Sequence, residues 1–485
     1  MRTLSRRCFI QLGLAAGAGA LAGCATTRVR RPSPSGDLRI AVVGVRSKGW
    51  SHVQHLREQP GVRVIALCDP DRDILAGRLQ ELDALGVKAD GVADYRRLLE
   101  RPDLDAVVLA TPNHQHTLQT IWGCQAGVHV YVEKPVSHNL FESRQIARAA
   151  AHYGTVVQAG TQGRSNEGLV PAMAYIHAGG LGKLKLARGF CYRDRPSIGR
   201  ADGTQQLPPG LDYDLWCGPA PTDPLRRKNL HYDWHWAWAT GNGDIGNQGV
   251  HELDMCRWAI GAPDLPRRVF SIGGRFGYED DGETPNTQLA WFDYDPVPVV
   301  FEVRGLPRKR GAEGQDAYRS IQVGVVIEGE DAYFAGGQFG GKVYDWNHKM
   351  IRHFPGDGGR QHLANFLTAV RAGRPDLVNA PVREGALSSG LCHLANLAHR
   401  VGSARAPDRI RQKLPGRGEA GEMLDRILRH LEANEIDLAR HPLTVGGWLE
   451  WDNRDYQFVG GPGFEQANQW IGRDYRAPFV VPAKF

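Results

Sequence analysis

The sequence predicts two domains: a doubly wound α/β domain, followed by an α+β domain with a predominantly antiparallel, open-faced sheet. Three observations support this prediction. The chain of 485 residues is longer than one typical domain. Apolar, β-branched segments alternate with helical patterns as far as about residue 160. Beyond residue 260, strand-like segments follow one another without helices between them.

The first domain repeats a strand–helix unit. Its first segment, LRIAVV at 38–43, is almost entirely apolar, as a strand buried on both faces requires. The predicted strands are 38–43, 62–68, 105–110, 128–132 and 155–159, and the predicted helices are 51–59, 72–85, 116–126 and 139–152. This alternation is typical of a parallel sheet with helices on both faces.

The second domain has a different pattern. An extended segment at 184–192 precedes a segment rich in Trp, Pro and Gly at 207–246. The further predicted strands are 268–273, 287–294, 299–303, 321–328 and 332–336, and the predicted helices are 167–177, 249–260, 361–372, 383–401 and 419–433. Consecutive strands without crossover helices indicate antiparallel pairing.

The first residues resemble an export signal. Arg6 and Arg7 lie in a twin-arginine pattern, and Leu21-Ala22-Gly23-Cys24 resembles a lipobox that would place a lipid on Cys24. The alternative is a simple export signal that is cleaved nearby. The apolar stretch between these motifs is too short and too weakly hydrophobic for a permanent membrane span. We therefore expect a periplasmic protein or a lipid-anchored lipoprotein.

These observations divide the chain into five parts: a signal (1–24), a tether (25–36), the α/β domain (37–160), the α+β domain (161–410) and a C-terminal helix with an aromatic and Pro-rich tail (411–485). The cysteines beyond the signal are widely spaced and form no C-x-x-C pair, which argues against a disulfide framework or a zinc site. Without Arg2, Arg6 and Arg7 of the signal, the net charge falls from +6 to +3, which indicates no particular acidic partner, and solvated loops explain the short basic runs better than nucleic-acid binding does.

A glycine turn follows the first strand. In the segment GVRSKG at 44–49, Gly44 permits a tight turn and Gly49 permits close packing of the next helix, while Arg46 replaces the usual middle glycine. Together with Ser47, these residues are candidates for contact with a pyrophosphate. The pattern predicts a Rossmann dinucleotide-binding domain.

Asp69 ends the second strand, at the position where a carboxylate binds ribose hydroxyls and repels a 2′-phosphate. This favours NAD over NADP, although Arg72 lies nearby. The alternative is that Asp69 serves only as a turn residue in Asp-Pro-Asp.

Two further motifs follow in order, ATPNHQH at 110–116 and EKP at 133–135. From about residue 38 to 401 the chain resembles the Gfo/Idh/MocA family, named after glucose–fructose oxidoreductase, inositol dehydrogenase and rhizopine catabolism. The resemblance implies that Lys134 reaches the nicotinamide and the reacting hydroxyl, and that Glu133 and Pro135 shape the lysine turn beside the cofactor. It also implies a loop along the cofactor formed by Thr111, Pro112, Asn113 and His116.

A second catalytic segment lies at 243–254. By the same resemblance, His251 is the base that takes the hydroxyl proton, and Asn247 stands where the family more often has Asp. Asparagine can bind a hydroxyl but cannot act as a base; Asp244 is a candidate to compensate. Asp254, three residues from His251 on one helix face, is a candidate to orient the ring and to contact the substrate. The alternative for His251 is a histidine satisfied in the core.

The aromatic segment before this helix suggests a sugar site. It contains Trp216, His231, Tyr232, Trp234, His235, Trp236 and Trp238. Aromatic faces stack on the apolar faces of sugar rings, so Trp234 is a substrate candidate, and Arg193 could reach an acidic group. The alternatives are a packed aromatic core and an ordinary surface charge. No ligand spacing supports a metal site.

We expect reversible hydride transfer between a sugar or cyclitol hydroxyl carbon and a nicotinamide. An exported enzyme has no free NAD around it, so we expect the cofactor to be tightly bound and recycled. One alternative is a glycoside-cleaving enzyme that uses NAD through oxidation, elimination and re-reduction; another is a non-catalytic sugar-binding protein. The family resemblance implies a homo-oligomer that forms through the open face of the antiparallel sheet.

Overall fold

The computed structural model of the chain describes residues 35–406, 410–411, 414 and 418–485. The predicted export signal, the lipobox Cys24 and residues 25–34 of the predicted tether lie outside these residues. Within the described part, no helix has both the length and the apolar character needed to span a bilayer.

The first domain contains a six-stranded sheet in which every neighbouring pair is parallel. Its strands are β1 (Leu38–Val43), β2 (Val62–Cys68), β3 (Asp90–Val92), β4 (Ala106–Leu109), β5 (His129–Val132) and β6 (Val157–Ala159). The order β3-β2-β1-β4-β5-β6 is that of a dinucleotide-binding fold, so the predicted fold class is confirmed for this domain.

Helices cover both faces of this sheet because its strands are apolar on both sides. Ile40 and Val42 pack into one core cluster, while Ala41 and Val43 pack into another. The helices of the domain are α1 (Lys48–Arg57), α2 (Arg72–Ala84), α3 (Tyr95–Leu98), α4 (Asn113–Gln125) and α5 (Leu140–Tyr153). The structure starts α4 three residues earlier than predicted.

The second domain is built on a larger, mixed sheet. Its strands are β7 (Leu184–Tyr192), β8 (Arg268–Gly274), β9 (Thr287–Phe292), β10 (Val299–Arg304), β11 (Val323–Gly329), β12 (Ala332–Gly337), β13 (Gly340–Asp345), β14 (Met350–Pro355), β15 (Ser403–Arg405), β16 (Leu443–Val445), β17 (Leu449–Asp452) and β18 (Gln457–Gly460). The strands β7 and β10 run parallel, and the other described neighbours are antiparallel. The predicted α+β class is confirmed.

The helices of this part are α6 (Leu169–His177), α7 (Tyr213–Cys217), α8 (Leu230–Asp233), α9 (Gly243–Asn247), α10 (Gly249–Ala259), α11 (His362–Ala372), α12 (Val382–Arg400), α13 (Gly418–Ala433) and α14 (Phe464–Gln469). The helices α10 and α12 share the main core with the sheet. The helix α13 packs Met423, Leu424 and Ile427 against Phe270 and Trp291. Part of the face expected to be open is therefore covered by the chain itself.

Several strands were not predicted, for a physical reason. The strand β13 begins with two glycines, and β14 is exposed at five of its six positions, so neither shows an apolar pattern. The strands β15 to β18 contain only three or four residues each. Such short segments are stabilised by the neighbours with which they pair rather than by their own pattern.

Candidate active site

A cavity of about 310 Å³ lies at the carboxyl ends of β1 and β4 and is lined by residues of both domains. The chain leaves β1 toward β2 on one side, whereas β4 continues toward β5 on the other. In sheets of this kind, ligands bind where the strand order reverses. Gly44 and Thr111, which follow these two strands, both line the cavity.

The two glycines of the turn are required by close contacts. Gly44 has a φ of +77°, and a Cβ there would lie 2.8 Å from the backbone of Ala110. A Cβ on Gly49 would lie 1.8 Å from the carbonyl oxygen of Gly44. Gly49 therefore packs behind the turn, and it is absent from the residues that line the cavity, whereas Gly44, Arg46 and Ser47 line it.

The N-terminus of α1 points to an anion site beside the turn. Ser47 precedes this helix and makes no side-chain capping hydrogen bond. The first N–H groups of a helix carry partial positive charge and bind phosphates. Arg46 and Lys48 line the cavity at the same place with exposed side chains. These groups fit the pyrophosphate of a dinucleotide.

Asp69 lines the cavity and is 7% exposed. Its Oδ2 accepts a hydrogen bond from Val45 N at 3.0 Å, and its Oδ1 accepts one from Asp71 N at 3.0 Å. Burial raises the pKa of the Asp69 carboxyl. Because each carboxylate oxygen has a second lone pair, the turn contacts leave acceptor capacity for ribose hydroxyls.

The carboxylate of Glu133 is fixed beneath the lysine turn. Its Oε1 lies 2.8 Å from His52 Nε2 and 3.7 Å from Lys48 Nζ. Burial alone would raise the pKa of Glu133, but the hydrogen bond from His52 and the charges of Lys48 and Lys134 outweigh it and hold the pKa well below its usual range. Glu133 therefore stays ionised and links the lysine turn to α1.

His116 joins the ATPNHQH segment, to which it belongs, to the EKP segment. Its Nδ1 lies 2.7 Å from Pro135 O and its Nε2 lies 2.8 Å from Thr111 O. The ring is buried, and burial lowers its pKa. A neutral ring has one N–H to donate, so one of the two carbonyls receives it. The residues Thr111, Pro112, Asn113, His116 and Glu133 all line the cavity.

Lys134 reaches across to the second domain. Its Nζ donates a hydrogen bond to the backbone carbonyl of Asn247 at 2.5 Å, and both residues line the cavity. Burial lowers the pKa of Lys134, although the nearby carboxylates of Glu133 and Glu252 oppose this shift. A cation at this place can hydrogen-bond a substrate oxygen and stabilise negative charge on it.

His251 lies on α10, half-buried. Within the described part of the chain its ring has no hydrogen-bond partner. Burial and then the charge of Lys134 lower the pKa of His251 to about 3, so the ring is neutral near pH 7. A neutral imidazole with a free nitrogen can accept a proton. His251 does not line the cofactor cavity itself.

Asp254 does not orient this ring, contrary to the prediction. Its carboxylate accepts two-pronged hydrogen bonds from Arg164 at 2.9 to 3.1 Å and a further one from Ser388 Oγ at 2.7 Å. Asp254 is also absent from the cavity lining. Asp254 is near His251 in the helix, but its carboxylate hydrogen-bonds Arg164 and Ser388, which are distant in the chain, and not the His251 ring.

Asp244 is also paired, since Arg195 binds it with contacts of 2.9 to 3.1 Å. Asp244 therefore does not replace the missing carboxylate at position 247. Arg193 is exposed, contacts Gln248 Oε1 at 3.4 Å and does not line the cofactor cavity.

Of the aromatic residues before the catalytic helix, Trp234 lines the cavity and stacks on the His235 ring at 3.6 Å. His231 Nε2 lies 3.0 Å from Asp71 Oδ2 on the other side of the cleft. His235 Nδ1 lies 2.6 Å from the carbonyl oxygen of Tyr232. His235 thus has its partner within this segment, and His231 has its partner across the cleft.

Residues 207–242, which we call the cap segment, cover the cavity. On one side, Arg72 N donates to Gly210 O at 3.0 Å and Asp212 N donates to Pro70 O at 3.0 Å. On the other side, the His114 ring lies 3.1 Å from Trp216 O and 3.2 Å from Thr240 O. No local sequence pattern indicates this cover, because its contacts join residues far apart in the chain.

The C-terminal tail supplies one more wall. Phe479 lines the cavity, and its ring lies 6.2 Å from that of Trp122 on α4. The guanidinium of Arg476 stacks on the Phe479 ring and donates to Ala220 O of the cap segment at 3.1 Å. The aromatic content of the tail was visible in the sequence, but nothing in it indicated this contact.

The chain is similar to known oxidoreductases. Residues 38–161 match the model of the oxidoreductase family GFO_IDH_MocA with an NAD-binding Rossmann fold, and residues 186–271 match the C-terminal α/β domain of that family. It is 26% identical over 257 residues to the 2,7-anhydro-N-acetylneuraminate hydratase of Mediterraneibacter gnavus, which covers 52% of this chain and 58% of that protein. It is 24% identical over 306 residues to the levoglucosan dehydrogenase of Pseudarthrobacter phenanthrenivorans, covering 59% of this chain and 71% of that protein.

Among solved structures, the fold is similar to that of a levoglucosan dehydrogenase in complex with NADH and levoglucosan. The TM-score is 0.56 at 16% identity, and the match covers 74% of this chain and 96% of that one. At this identity the likeness concerns the fold.

Proposed function

We propose that this chain is an NAD-binding oxidoreductase of the Gfo/Idh/MocA type, which transfers hydride between the carbon bearing a sugar or cyclitol hydroxyl and a nicotinamide. The observation that supports this most directly is the contact between Lys134 and Asn247. It brings the lysine of the first domain to the start of the helix that carries His251, beside a cavity with the features of a dinucleotide site.

Each side chain has a role that follows from its state. The Lys134 ammonium hydrogen-bonds the substrate oxygen and stabilises the charge that develops there. The neutral His251 accepts the hydroxyl proton. The amide of Asn247 binds a neighbouring hydroxyl, and the Trp234 ring offers an apolar face. When bound, NAD supplies the hydride acceptor; the glycine turn, the start of α1 and Asp69 would hold it.

We propose that the cofactor stays bound through many turnovers. The cap segment contacts both sides of the cleft, and the pair of His231 and Asp71 closes it next to Asp69. Phe479 adds a wall from the tail. Release of a dinucleotide requires some of these contacts to break. Such retention suits an enzyme exported by the twin-arginine route to the periplasm or to a lipid anchor, which is the location that we propose from the N-terminal motifs.

A second candidate is transient oxidation that leads to glycoside cleavage. Oxidation of a ring hydroxyl acidifies the adjacent C–H, elimination expels the glycosidic oxygen, water adds, and the hydride returns. A relative named as a hydratase favours this candidate, because addition of water involves no net redox change. The asparagine at position 247 also departs from the family pattern for simple dehydrogenation.

One experiment separates these candidates. The purified protein is denatured to identify any released nucleotide, and the native protein is then screened with sugars, cyclitols and chromogenic glycosides. Net reduction of bound NAD by a sugar supports the dehydrogenase. Aglycone release without net reduction supports glycoside cleavage. If neither signal appears, or if Lys134→Met and His251→Gln react like the unchanged protein, the proposed catalysis is wrong.

A further inference from the structure

A second cavity, of about 600 Å³, lies behind the cap segment and away from the glycine turn. Four parts of the chain surround it: the turn before α5, the cap segment, the C-terminal half of α12 and residues 469–474 of the tail. Asn242 lines both this cavity and the cofactor cavity. Its Nδ2 donates to His138 O at 3.0 Å, so the two cavities share a wall.

Arg400 presents a charge to this cavity without a partner. Its guanidinium lies between two indole rings, 5.0 Å from the centre of Trp238 and 4.2 Å from that of Trp470. Within the described part of the chain it makes no hydrogen bond or ion pair. Burial lowers the pKa of Arg400, and the negative charge of Glu283 opposes this shift. Ring faces stabilise a cation, but they do not satisfy its in-plane N–H groups.

Arg473 adds a second cation. Its side chain is 12% exposed, and it donates to Ala239 O at 3.0 Å and to His138 Nδ1. The carboxylate of Glu142 lies 3.8 Å from Arg473 Nε, beyond hydrogen-bond distance. Glu142 instead accepts from His138 N at 2.9 Å and from the Asn139 side chain at 2.9 Å.

The remaining walls are polar and carry little opposing charge. His138, His393 and Asn396 each have one buried side-chain atom without a hydrogen-bond partner in the described part of the chain. Burial lowers the pKa of His393 to about 3, so its ring is neutral near pH 7. Asp474 is exposed at the rim, and burial raises the pKa of Glu142. Glu142 lies beside Arg473 and Asp474 faces solvent, so within the described part of the chain Arg400 is left as the cation without an acidic partner, which matches a single negative charge.

We propose that this cavity binds a polyhydroxylated monocarboxylate, such as a sugar acid, at a site separate from the cofactor cavity. The guanidinium fork of Arg400 matches the two oxygens of a carboxylate, and Arg473 lines the same cavity as a second positive charge. The unpartnered polar atoms of His138, His393 and Asn396 and the exposed amide of Gln469 bind hydroxyl groups. A dianionic phosphate fits the charge balance less well than a monoanion does.

The test is binding of D-glucuronate to the full-length protein with its own bound nucleotide, measured by calorimetry and by tryptophan fluorescence. A Lys134→Met background prevents turnover. We expect saturable binding that quenches Trp238 and Trp470, and binding about ten- to hundredfold weaker in Arg400→Gln, as expected when a charged hydrogen-bond donor is lost. The matched control is Arg268→Gln, because Arg268 also stacks on a tryptophan, at 4.9 Å from Trp448, but is paired with Asp293.

Thermal unfolding of each variant shows whether it is folded. If Arg400→Gln does not fold, Trp470→Phe replaces it, and loss of the fluorescence change then supports the site. Equal binding of glucose and glucuronate, stronger binding of inorganic phosphate, or undiminished binding in Arg400→Gln would each overturn the proposal. Because the signal is binding, its failure leaves the proposed hydride transfer untouched.

Discussion

The ammonium of Lys134 donates to the backbone carbonyl of Asn247, and this contact joins the two domains beside the cofactor cavity. Since the acceptor is a main-chain oxygen, the position of the lysine does not depend on the side chain at 247. The change from the usual aspartate to asparagine therefore removes a carboxylate from the site but leaves the lysine anchored.

Replacing this lysine should remove catalysis without unfolding the protein. We expect Lys134→Met to lower kcat by about 10²- to 10⁴-fold, the range for loss of a positioned catalytic group. Turnover of the substrate found in the screen provides the measurement. Lys88→Met is the control, because Lys88 is 87% exposed and pairs with Asp83. A kcat within tenfold of the unchanged enzyme would contradict the role of Lys134.

The selectivity for NAD should depend on the charge of Asp69. We expect Asp69→Asn to lower the preference for NAD over NADP by about tenfold or more, because the neutral amide no longer repels a 2′-phosphate. The amide oxygen can accept one of the two backbone hydrogen bonds that the carboxylate receives, and thermal unfolding shows whether the variant is folded. Both nucleotides are titrated into protein freed of cofactor. Unchanged affinities for both would leave Asp69 with its turn role alone.

Cofactor retention should depend on the contact across the cleft between His231 and Asp71. We expect His231→Ala to speed NAD release by about tenfold, since it removes a hydrogen-bonded pair at the edge of the cap segment. Release is followed by dilution into an NAD-scavenging enzyme. His55→Ala is the control, because His55 is exposed on α1 and, within the described residues, its ring hydrogen-bonds the carbonyl of Ser51 at 2.7 Å and no group of the cap segment. Equal release rates would show that this pair does not hold the cap.

Acid should destabilise the protein through its buried histidines. Burial and then the charge of Arg473 lower the pKa of His114 from 6.5 to about 3. The unfolded chain therefore binds a proton below pH 6.5 that the folded chain refuses until about pH 3. The free energy of unfolding is therefore unaffected by protonation of this histidine above pH 6.5, and it decreases as the pH falls from 6.5 toward 3.

Urea unfolding at several pH values between 7 and 4 measures this loss. His114→Gln removes one titrating group. The slope of the unfolding free energy against pH should therefore decrease by an amount equivalent to the uptake of up to one proton. The exposed His55→Gln should keep the slope of the unchanged protein. A His114→Gln slope equal to that of the unchanged protein would contradict the assignment.

Features of the chain that depend on neighbouring residues could be predicted from the sequence. The strands β1, β2 and β7 have the predicted bounds, because each is a segment in which apolar residues predominate. The glycine turn, Asp69 and Lys134 fall at the carboxyl ends of strands, where a parallel sheet places its ligand site. Gly44 and Lys134 could therefore be placed in one cavity without coordinates.

Features that depend on distant partners could not be predicted. Asp254 was placed beside His251 by its spacing, yet its oxygens bind Arg164, which is 90 residues away in the chain. The sequence predicts the helix α13, but it does not indicate which surface the apolar side of this helix covers. A contact of this kind depends on the shape of both surfaces, and no local pattern encodes it.

The position of Phe479 has a consequence for the life of the polypeptide. The ribosome makes the glycine turn, Asp69 and Lys134 early, whereas this ring emerges only after all of them. A nascent chain thus carries a nucleotide cleft that still lacks one wall. Under the proposed function, NAD is fully enclosed only after the C-terminal tail has been synthesised and Phe479 has packed beside Trp122.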